Sequence, residues 1–141
     1  MNKLIMFPQN IDLNKINQFS KNCMVGHLGI EIIKIGKNYI KGRMPVDKRT
    51  TQPFGLLHGG ASVAFSETLG SFGSGLICDK NGKKVVGIEI NANHLKSITK
   101  GYVYGKATPV HIGRRIHVWE TRISDKKDNI ISISRLTVAV L

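Results

Sequence analysis

The stretch from Gln52 to Ile77 constrains the fold more than any other part of this sequence. It opens with a proline turn, passes through His58-Gly59-Gly60, and then contains no further proline. From there the apolar side chains recur at helical spacing and form one narrow stripe, at Ala61, Phe65, Leu69, Phe72 and Leu76. This spacing predicts one long amphipathic helix against which the remaining chain must pack.

The opposite face of this helix carries small residues and one carboxylate, at Gly60, Val63, Glu67, Ser71 and Ser74. A helix face exposed to solvent would carry Lys, Arg and Gln instead. The small residues therefore predict close approach by a second element, with Glu67 buried between the two. A buried carboxylate is unfavourable unless it is paired or used. Glu67 thus either hydrogen-bonds a neighbouring group or takes part in chemistry.

Two glycines at the start of this helix suggest what that chemistry is. Gly59 and Gly60 let a ligand carbonyl or phosphate approach unpaired backbone N–H groups at the positive end of the helix dipole. Together with Glu67, they indicate an acyl-transfer or hydrolysis site. Gly59 and Glu67 are separated by about 12 Å along the helix, so one carbonyl cannot contact both in one chain. If both act, we expect a symmetric dimer with two shared sites.

The pattern Gln52, His58-Gly59-Gly60, Glu67 and Ser71, followed by VVGIEINANHLKS from Val85 to Ser97, resembles the hotdog-fold acyl-CoA thioesterases. The resemblance extends from about Asn22 to Leu141 and favours the branch that hydrolyses aromatic acyl-CoA esters. It implies a single hotdog domain over residues 1–141, an α+β fold in which an antiparallel sheet wraps around one long central helix. It also implies a tetramer made of two dimers.

The resemblance assigns a role to each residue of the motif. The Gly59 amide stabilises the oxyanion, and Glu67 acts either as a nucleophile that forms an anhydride or as a general base on water. Gln52 orients the carbonyl or the water, or else forms only a loop hydrogen bond. His58 binds the substrate or fixes the loop, and Ser71 positions a reacting group or only packs.

Coenzyme A contacts are implied in two further segments. Its phosphates call for basic side chains, which Lys96, Arg114 and Arg115 supply, although each could equally be a solvated strand end. Coenzyme A is part of the substrate, and we expect no separate cofactor and no metal, since no cluster has zinc-ligand spacing. The implied contacts are Val86, Asn93, His94, Leu95, Lys96, Val110, His111, Ile112, Gly113, Arg114 and Arg115.

Composition sets the remaining limits. A chain of 141 residues suits one domain, and no apolar run approaches the roughly 18 residues of a membrane span. The N-terminal apolar patch Leu4–Phe7 is too short for a signal peptide, so we expect a cytoplasmic protein that does not bind membranes. In that compartment Cys23 and Cys78 should be reduced.

The formal net charge of +12 has two interpretations. It can mark a surface that binds a polyanion, but the lysines are scattered along the sequence, which favours an ordinary solvated surface. No cluster combines them with aromatic residues, so we expect no nucleic-acid partner.

Two other functions remain possible from the sequence: a hotdog dehydratase, and a non-catalytic module that binds acyl-CoA or a polyanion. His58 lies beside Gly59-Gly60 rather than in a dehydratase-type motif, and the joint presence of Gln52, Gly59 and Glu67 argues against pure binding. A serine hydrolase is disfavoured because the chain contains no G-x-S-x-G motif.

Alternating and turn-forming residues predict the other elements. A surface helix is expected within Asn10–Asn22, followed by a connector at Met24–His27. The predicted strands are Leu28–Ile35, Tyr39–Met44 (ended by Pro45), Lys83–Asn93, Tyr102–Pro109 (followed by a corner at Val110–Arg114), Ile116–Ser124 and Ile130–Leu141.

Overall fold

The computed structural model describes residues 7, 8 and 10–141. Of the predicted N-terminal apolar patch, only Phe7 lies within this range, and it is buried. In chain order, the elements are α1 (Leu13–Phe19), α2 (Met24–His27), β1 (Glu31–Ile35), β2 (Ile40–Val46), α3 (Gly59–Cys78), a 3₁₀ turn (Asp79–Asn81), β3 (Val85–His94), β4 (Gly101–Ile112), β5 (Ile116–Ser124) and β6 (Ile130–Val140).

The strands form one six-stranded antiparallel sheet in the order β1-β2-β4-β5-β6-β3. Helix α3 lies on one face of this sheet and contacts β2 through β6. Phe65 and Leu69 of the predicted stripe are fully buried in the core with Val103, Trp119 and Leu136. The predicted α+β arrangement, a sheet wrapped around one long helix, is confirmed.

Two helical glycines set how closely α3 approaches the sheet. A Cβ atom at Gly73 would lie 2.5 Å from the Trp119 ring, and one at Gly70 would lie 2.7 Å from a Leu136 methyl group. Glycine inside a helix costs about 1 kcal/mol relative to alanine. That cost is offset here by the close packing of the indole ring against the helix backbone.

A buried polar group ties the C-terminal half of α3 to β5. Trp119 Nε1 donates to Ser74 Oγ at 2.8 Å, and His117 Nδ1 lies 3.0 Å from the same oxygen. Burial lowers the pKa of His117 despite a hydrogen bond with the Gly113 backbone, so the imidazole is neutral near pH 7. The second element predicted beside Ser74 is therefore β5 of the same chain.

One edge of the sheet is closed by a side chain. Asn17 Nδ2 donates to the Ile32 carbonyl, and Asn17 Oδ1 accepts from the Ile32 N–H, both at 2.9 Å. The amide of α1 thus takes the place of a neighbouring strand along β1. The other edge strand, β3, carries no such cover in the described chain.

Several predicted boundaries were wrong. Pro45 does not end β2 but pairs with Tyr102 on β4. On the other side of β2, pairing with β1 extends only as far as Arg43, so the missing N–H of Pro45 removes no hydrogen bond between these two strands. Strand β4 likewise continues past Pro109 through a register shift, so the corner begins only at Gly113. The predicted connector contains the short helix α2, and β1 starts at Glu31 rather than Leu28.

Candidate active site

A tethered loop holds Gln52 in place before α3. Its backbone is fixed by hydrogen bonds from His58 N to Thr50 O and from Leu57 N to Ile98 O, both at 2.8 Å. Gln52 Oε1 accepts the Phe54 N–H at 2.6 Å. The loop hydrogen bond considered from the sequence is therefore present. It occupies the carbonyl end of the Gln52 side chain and leaves the amide nitrogen as the donor for other groups.

His58 organises the first turn of α3. Its Nδ1 accepts the Gly60 N–H at 2.8 Å, and its carbonyl accepts the N–H groups of Ala61 and Ser62. Because Nδ1 is an acceptor, the neutral ring carries its proton on Nε2. Among the described groups no acceptor reaches the Gly59 N–H, so this amide can bind an incoming oxygen at the positive end of the helix.

His94 lies directly over this helix start. A Cβ atom at Gly59 would be 2.6 Å from His94 Nε2, so a side chain at this position would displace the imidazole. The sequence predicted His94 as a substrate contact without placing it beside Gly59. The pairing joins the first residue of α3 to the last residue of β3.

Glu67 contacts a different part of β3. Its Oε1 lies against Gly87, where any Cβ atom would overlap the carboxylate oxygen. Gly87 received no role from the sequence, although an isolated glycine within a strand marks close approach by another group. A register shift between Gly87 and Glu89 interrupts the strict alternation of a regular strand, so Gly87, Ile90 and Ala92 all share the helix side of β3.

The burial predicted for Glu67 is not present in the single chain. Glu67 is half-buried, as are Val63 and Ser71, while Gly60 is exposed. Among the described groups, Glu67 forms no hydrogen bond or ion pair within the chain. Apart from Ser74, the small-residue face of α3 therefore remains partly open.

The site residues form two separate halves. Gly59 lies with His94 at the C-terminal end of β3, whereas Glu67 lies with Gly87 in its N-terminal half. This agrees with the separation of about 12 Å along α3. One chain does not bring the candidate oxyanion donor and the carboxylate onto one carbonyl.

The predicted coenzyme A contacts divide in the same way. Val86 pairs with Ala139, which pairs with Ile116, so Val86 lies at the end of the sheet that carries the 113–115 corner. The other segment lies near the opposite end of β3, where Leu95 N donates to Ile131 O at 2.8 Å. The first group is Val86, Val110, His111, Ile112, Gly113, Arg114 and Arg115, and the second is Asn93, His94, Leu95 and Lys96.

We expect Gly87→Ala to lower kcat by about 10²-fold with little loss of stability. The added methyl group would displace the flexible end of Glu67. A shift of about 1 Å in a catalytic group costs on the order of 10²-fold in rate. Thiol release under saturating substrate measures kcat, and thermal unfolding measures stability.

Gly75→Ala is the matched control for this substitution. A Cβ atom at Gly75 meets nothing within 4 Å, so activity should be unchanged and stability should rise by up to about 1 kcal/mol. Wild-type activity in Gly87→Ala would show that the Glu67 position beside β3 is unimportant for catalysis.

Comparison with known proteins identifies the family. Residues 54–132 match the family described as Thioesterase superfamily. The chain is 45% identical over 137 residues to the 1,4-dihydroxy-2-naphthoyl-CoA hydrolase of Escherichia coli, covering 97% of this chain and 100% of that protein. The chain belongs to the thioesterase superfamily. This thioesterase is also 42% identical over 137 residues to the proofreading thioesterase EntH of Cronobacter turicensis, covering 97% and 99% of the two chains.

Solved structures confirm the fold of this thioesterase. A thioesterase from Haemophilus influenzae superposes with a TM-score of 0.91 at 46% identity, covering 96% of this chain and 94% of that one. A thioesterase mutant from Pseudomonas aeruginosa gives a TM-score of 0.92 at 43% identity, covering 96% and 98%. The hotdog fold and the thioesterase activity implied by the sequence are thereby confirmed. None of the described helices has the length and apolar character to span a bilayer.

Proposed function

We propose that this thioesterase hydrolyses an aromatic acyl-CoA, namely 1,4-dihydroxy-2-naphthoyl-CoA, to the free acid and coenzyme A, as a step of menaquinone biosynthesis. The observation that carries the proposal is the 45% identity to the Escherichia coli hydrolase over nearly the whole of both chains. The 42% identity to EntH supports a second candidate, a thioesterase of broader substrate range.

The chemistry divides between the two halves of the site. The Gly59 N–H and the Gln52 amide nitrogen hold the thioester oxygen, where negative charge develops. Glu67 then either attacks the carbonyl carbon, expelling the coenzyme A thiolate and forming an anhydride that water opens, or removes a proton from an attacking water. Either route yields the acid and the thiol. His58 Nε2–H, His94 and Ser71 are the remaining polar groups proposed to position the substrate.

Hydrolysis at one carbonyl requires two copies of the chain, and the open edge of β3 supports such a pairing. Val86 and Ile88 on this strand are 45% and 57% exposed. Exposed apolar edge strands pair with other chains unless proline or charge blocks them, and β3 contains no proline and one carboxylate, Glu89. A second β3 covers this edge by antiparallel pairing about a two-fold axis.

Antiparallel pairing places the two halves of the site together. The C-terminal end of one β3, with Gly59 and His94, comes beside the N-terminal end of the partner strand, where Glu67 and Gly87 lie. The two groups of predicted coenzyme A contacts meet in the same way. The partly open small-residue face of α3 is the helix surface available for contact with the partner chain. Assembly of two such dimers into a tetramer, and the cytoplasmic location, stay predictions.

A panel of acyl-CoA substrates tests the proposed specificity. We expect kcat/KM for naphthoyl-CoA and benzoyl-CoA esters to exceed that for aliphatic esters, with thiol release followed by a trapping dye. A reaction mixture without the enzyme supplies the background rate. Equal or faster turnover of aliphatic esters would contradict the aromatic assignment and favour the broader range.

Arg114→Ala is expected to raise KM by about tenfold and leave kcat nearly unchanged. The coenzyme A phosphates keep their charge during thioester cleavage, so a contact to them stabilises substrate and transition state equally. A charge-assisted hydrogen bond contributes roughly 1.5–3 kcal/mol where water is excluded, and less at the exposed Arg114. The effect should shrink as salt rises.

An acyl-pantetheine, which lacks the nucleotide, distinguishes a phosphate-binding role of Arg114 from a structural role. This truncated substrate should be insensitive to Arg114→Ala, and Arg122→Ala, which alters another exposed arginine, should leave KM unchanged for both substrates. Equal damage to the full and truncated substrates would make Arg114 a structural residue.

A further inference from the structure

A buried imidazole of β5 lies next to the 113–115 corner. His117 follows Arg115 by two residues, pairs with Ile112 on β4 and is only 2% exposed. A polar ring inside a core is unfavourable unless its nitrogens are hydrogen-bonded. The thioester chemistry proposed above uses neither His117 nor its partner on α3, Ser74, so their role is a separate question.

Ser74 contacts one of the two ring nitrogens. Its Oγ accepts Trp119 Nε1–H at 2.8 Å and lies 3.0 Å from His117 Nδ1. Because the indole can only donate, the Ser74 hydroxyl hydrogen remains available for donation to Nδ1. The imidazole also hydrogen-bonds the Gly113 backbone, and this bond raises the pKa of His117. Only donation from the ring to the carbonyl has that effect, so Nε2 carries the proton of the neutral ring.

These bonds form one directional chain from the core to the corner. Trp119 Nε1–H donates to Ser74 Oγ, Ser74 O–H donates to His117 Nδ1, and His117 Nε2–H donates to the Gly113 carbonyl. Each polar group is used once, and an apolar side chain at position 117 would break the connection. We call Trp119, Ser74, His117 and the Gly113 carbonyl the Ser74 relay.

The relay ends on a carbonyl that the backbone leaves free. The Gly113 N–H donates to Ile116 O at 2.9 Å, and the Val140 N–H donates to Arg115 O at 2.8 Å. Among the backbone hydrogen bonds outside helices and strands in residues 10–141, none ends at the Gly113 carbonyl. Glycine has the widest backbone freedom of all residues. The imidazole therefore fixes the peptide plane from which Arg114 leaves the corner.

We propose that His117 is a positioning residue for coenzyme A, which through the Ser74 relay orients the Gly113 carbonyl and directs Arg114 toward the nucleotide phosphates. The inference rests on the proposed function, in which the 113–115 corner contacts coenzyme A. Arg114 and Arg115 are exposed, and the ion pairs of the described chain include neither of them. Their charge is therefore available to a phosphate. His117 itself is too buried to contact the substrate.

The relay also joins the corner to the catalytic helix. Ser74 follows Glu67 by seven residues, about 10.5 Å along α3. The phosphate contact is thereby tied to the helix that carries the carboxylate. A purely structural hydrogen bond would stabilise the fold, but its loss would not distinguish substrates with and without the nucleotide. This difference decides between the two roles.

Two substitutions at position 117 separate the hydrogen bond from the packing. His117→Gln keeps an amide N–H near the position of Nε2, whereas His117→Leu has no donor. We expect His117→Leu to raise KM for acyl-CoA about fivefold with kcat nearly unchanged, because the lost contact stabilises substrate and transition state equally. In His117→Gln this KM should stay within about twofold of wild type. An acyl-pantetheine should give the wild-type KM with both variants.

The acyl group is the one that the wild-type enzyme turns over fastest, so the result does not depend on the aromatic assignment. Thr121→Val is the matched control, since it removes a hydroxyl buried on the same face of β5, and it should leave both KM values unchanged. Thermal unfolding checks that the variants are folded. In an Arg114→Ala background, His117→Leu should add less than about twofold to KM, because both changes remove the same contact.

The outcomes distinguish the relay from the function on which it rests. If Arg114→Ala raises KM for acyl-CoA and His117→Leu does not, the relay is overturned and the corner remains a coenzyme A site. If neither variant raises KM, the corner does not bind coenzyme A and both assignments fail. Equal increases for acyl-CoA and acyl-pantetheine in His117→Leu would make His117 a structural residue.

A measurement on the wild-type protein tests the relay without any variant having to fold. Long-range nitrogen–proton NMR correlation spectra distinguish the two tautomers of a neutral imidazole, and the signals of His117 are those absent from His117→Gln. We expect a ring that carries its proton on Nε2 at neutral pH. A ring protonated on Nδ1 would reverse the bond to Ser74, leave the Gly113 carbonyl without a donor and overturn the proposal.

Discussion

Glu67→Gln is expected to remove nearly all thioesterase activity while the fold stays intact. The glutamine keeps the size of the side chain beside Gly87, but it cannot act as a nucleophile or as a base. Loss of general acid–base catalysis alone lowers rates by about 10²–10⁴-fold. Thiol release measures kcat, and thermal unfolding shows whether the half-buried helix face tolerates the amide.

Glu120→Gln supplies the matched control, since it makes the same chemical change at a half-buried glutamate on the outer sheet face. Its activity should equal that of the wild type. If Glu67→Gln retains activity within about tenfold of wild type, Glu67 is neither base nor nucleophile. A tenfold change in rate corresponds to about 1.4 kcal/mol in the activation free energy.

Mixing two inactive variants is expected to restore activity. A Glu67→Ala chain keeps the Gly59 half of the site, and a Gln52→Glu chain keeps the Glu67 half. The glutamate at position 52 retains the oxygen that accepts the Phe54 N–H but loses the donor to the substrate. In a hybrid dimer one of the two shared sites is intact, so random exchange should give about one quarter of wild-type activity.

The measurement is thiol release after the two variants are unfolded and refolded together, compared with each variant refolded alone. If each site lay within one chain, every site would carry one of the two substitutions, and the mixture would stay inactive. Size-exclusion chromatography checks that the active species elutes as a dimer or a larger assembly. Full activity from a verified monomer would contradict the shared site.

The long helix could be predicted because its signal is local. The stripe of Phe65 and Leu69 depends only on the helical period, and the confirmed helix, Gly59–Cys78, contains it. The separation of Gly59 from Glu67 follows from the fixed rise per residue. The sequence therefore indicated a shared site before any contact was known. The motif residues likewise identified the family that the comparisons confirm.

Predictions failed where a residue depends on strands that are distant in sequence. Pro45 was expected to stop β2, but whether its missing N–H matters depends on where β1 ends. Strict alternation along β3 would place Gly87 and Ile90 on opposite faces, but the register shift between them arises from pairing with β6 and brings both to the helix side. Glu67 was expected to be buried, but no other element in the described part of the chain covers it fully.

By itself, then, the sequence determined the central helix and its small-residue face, and it predicted roles for Gln52, Gly59 and Glu67. Only the tertiary structure decided which β3 residues meet that helix: His94 over Gly59 and Gly87 against Glu67. It also placed residues that are far apart in the sequence side by side, since antiparallel pairing brings Lys41 beside Lys106. The physical reason is that periodicity acts within a segment, whereas strand register and side-chain approach are fixed by partners far along the chain.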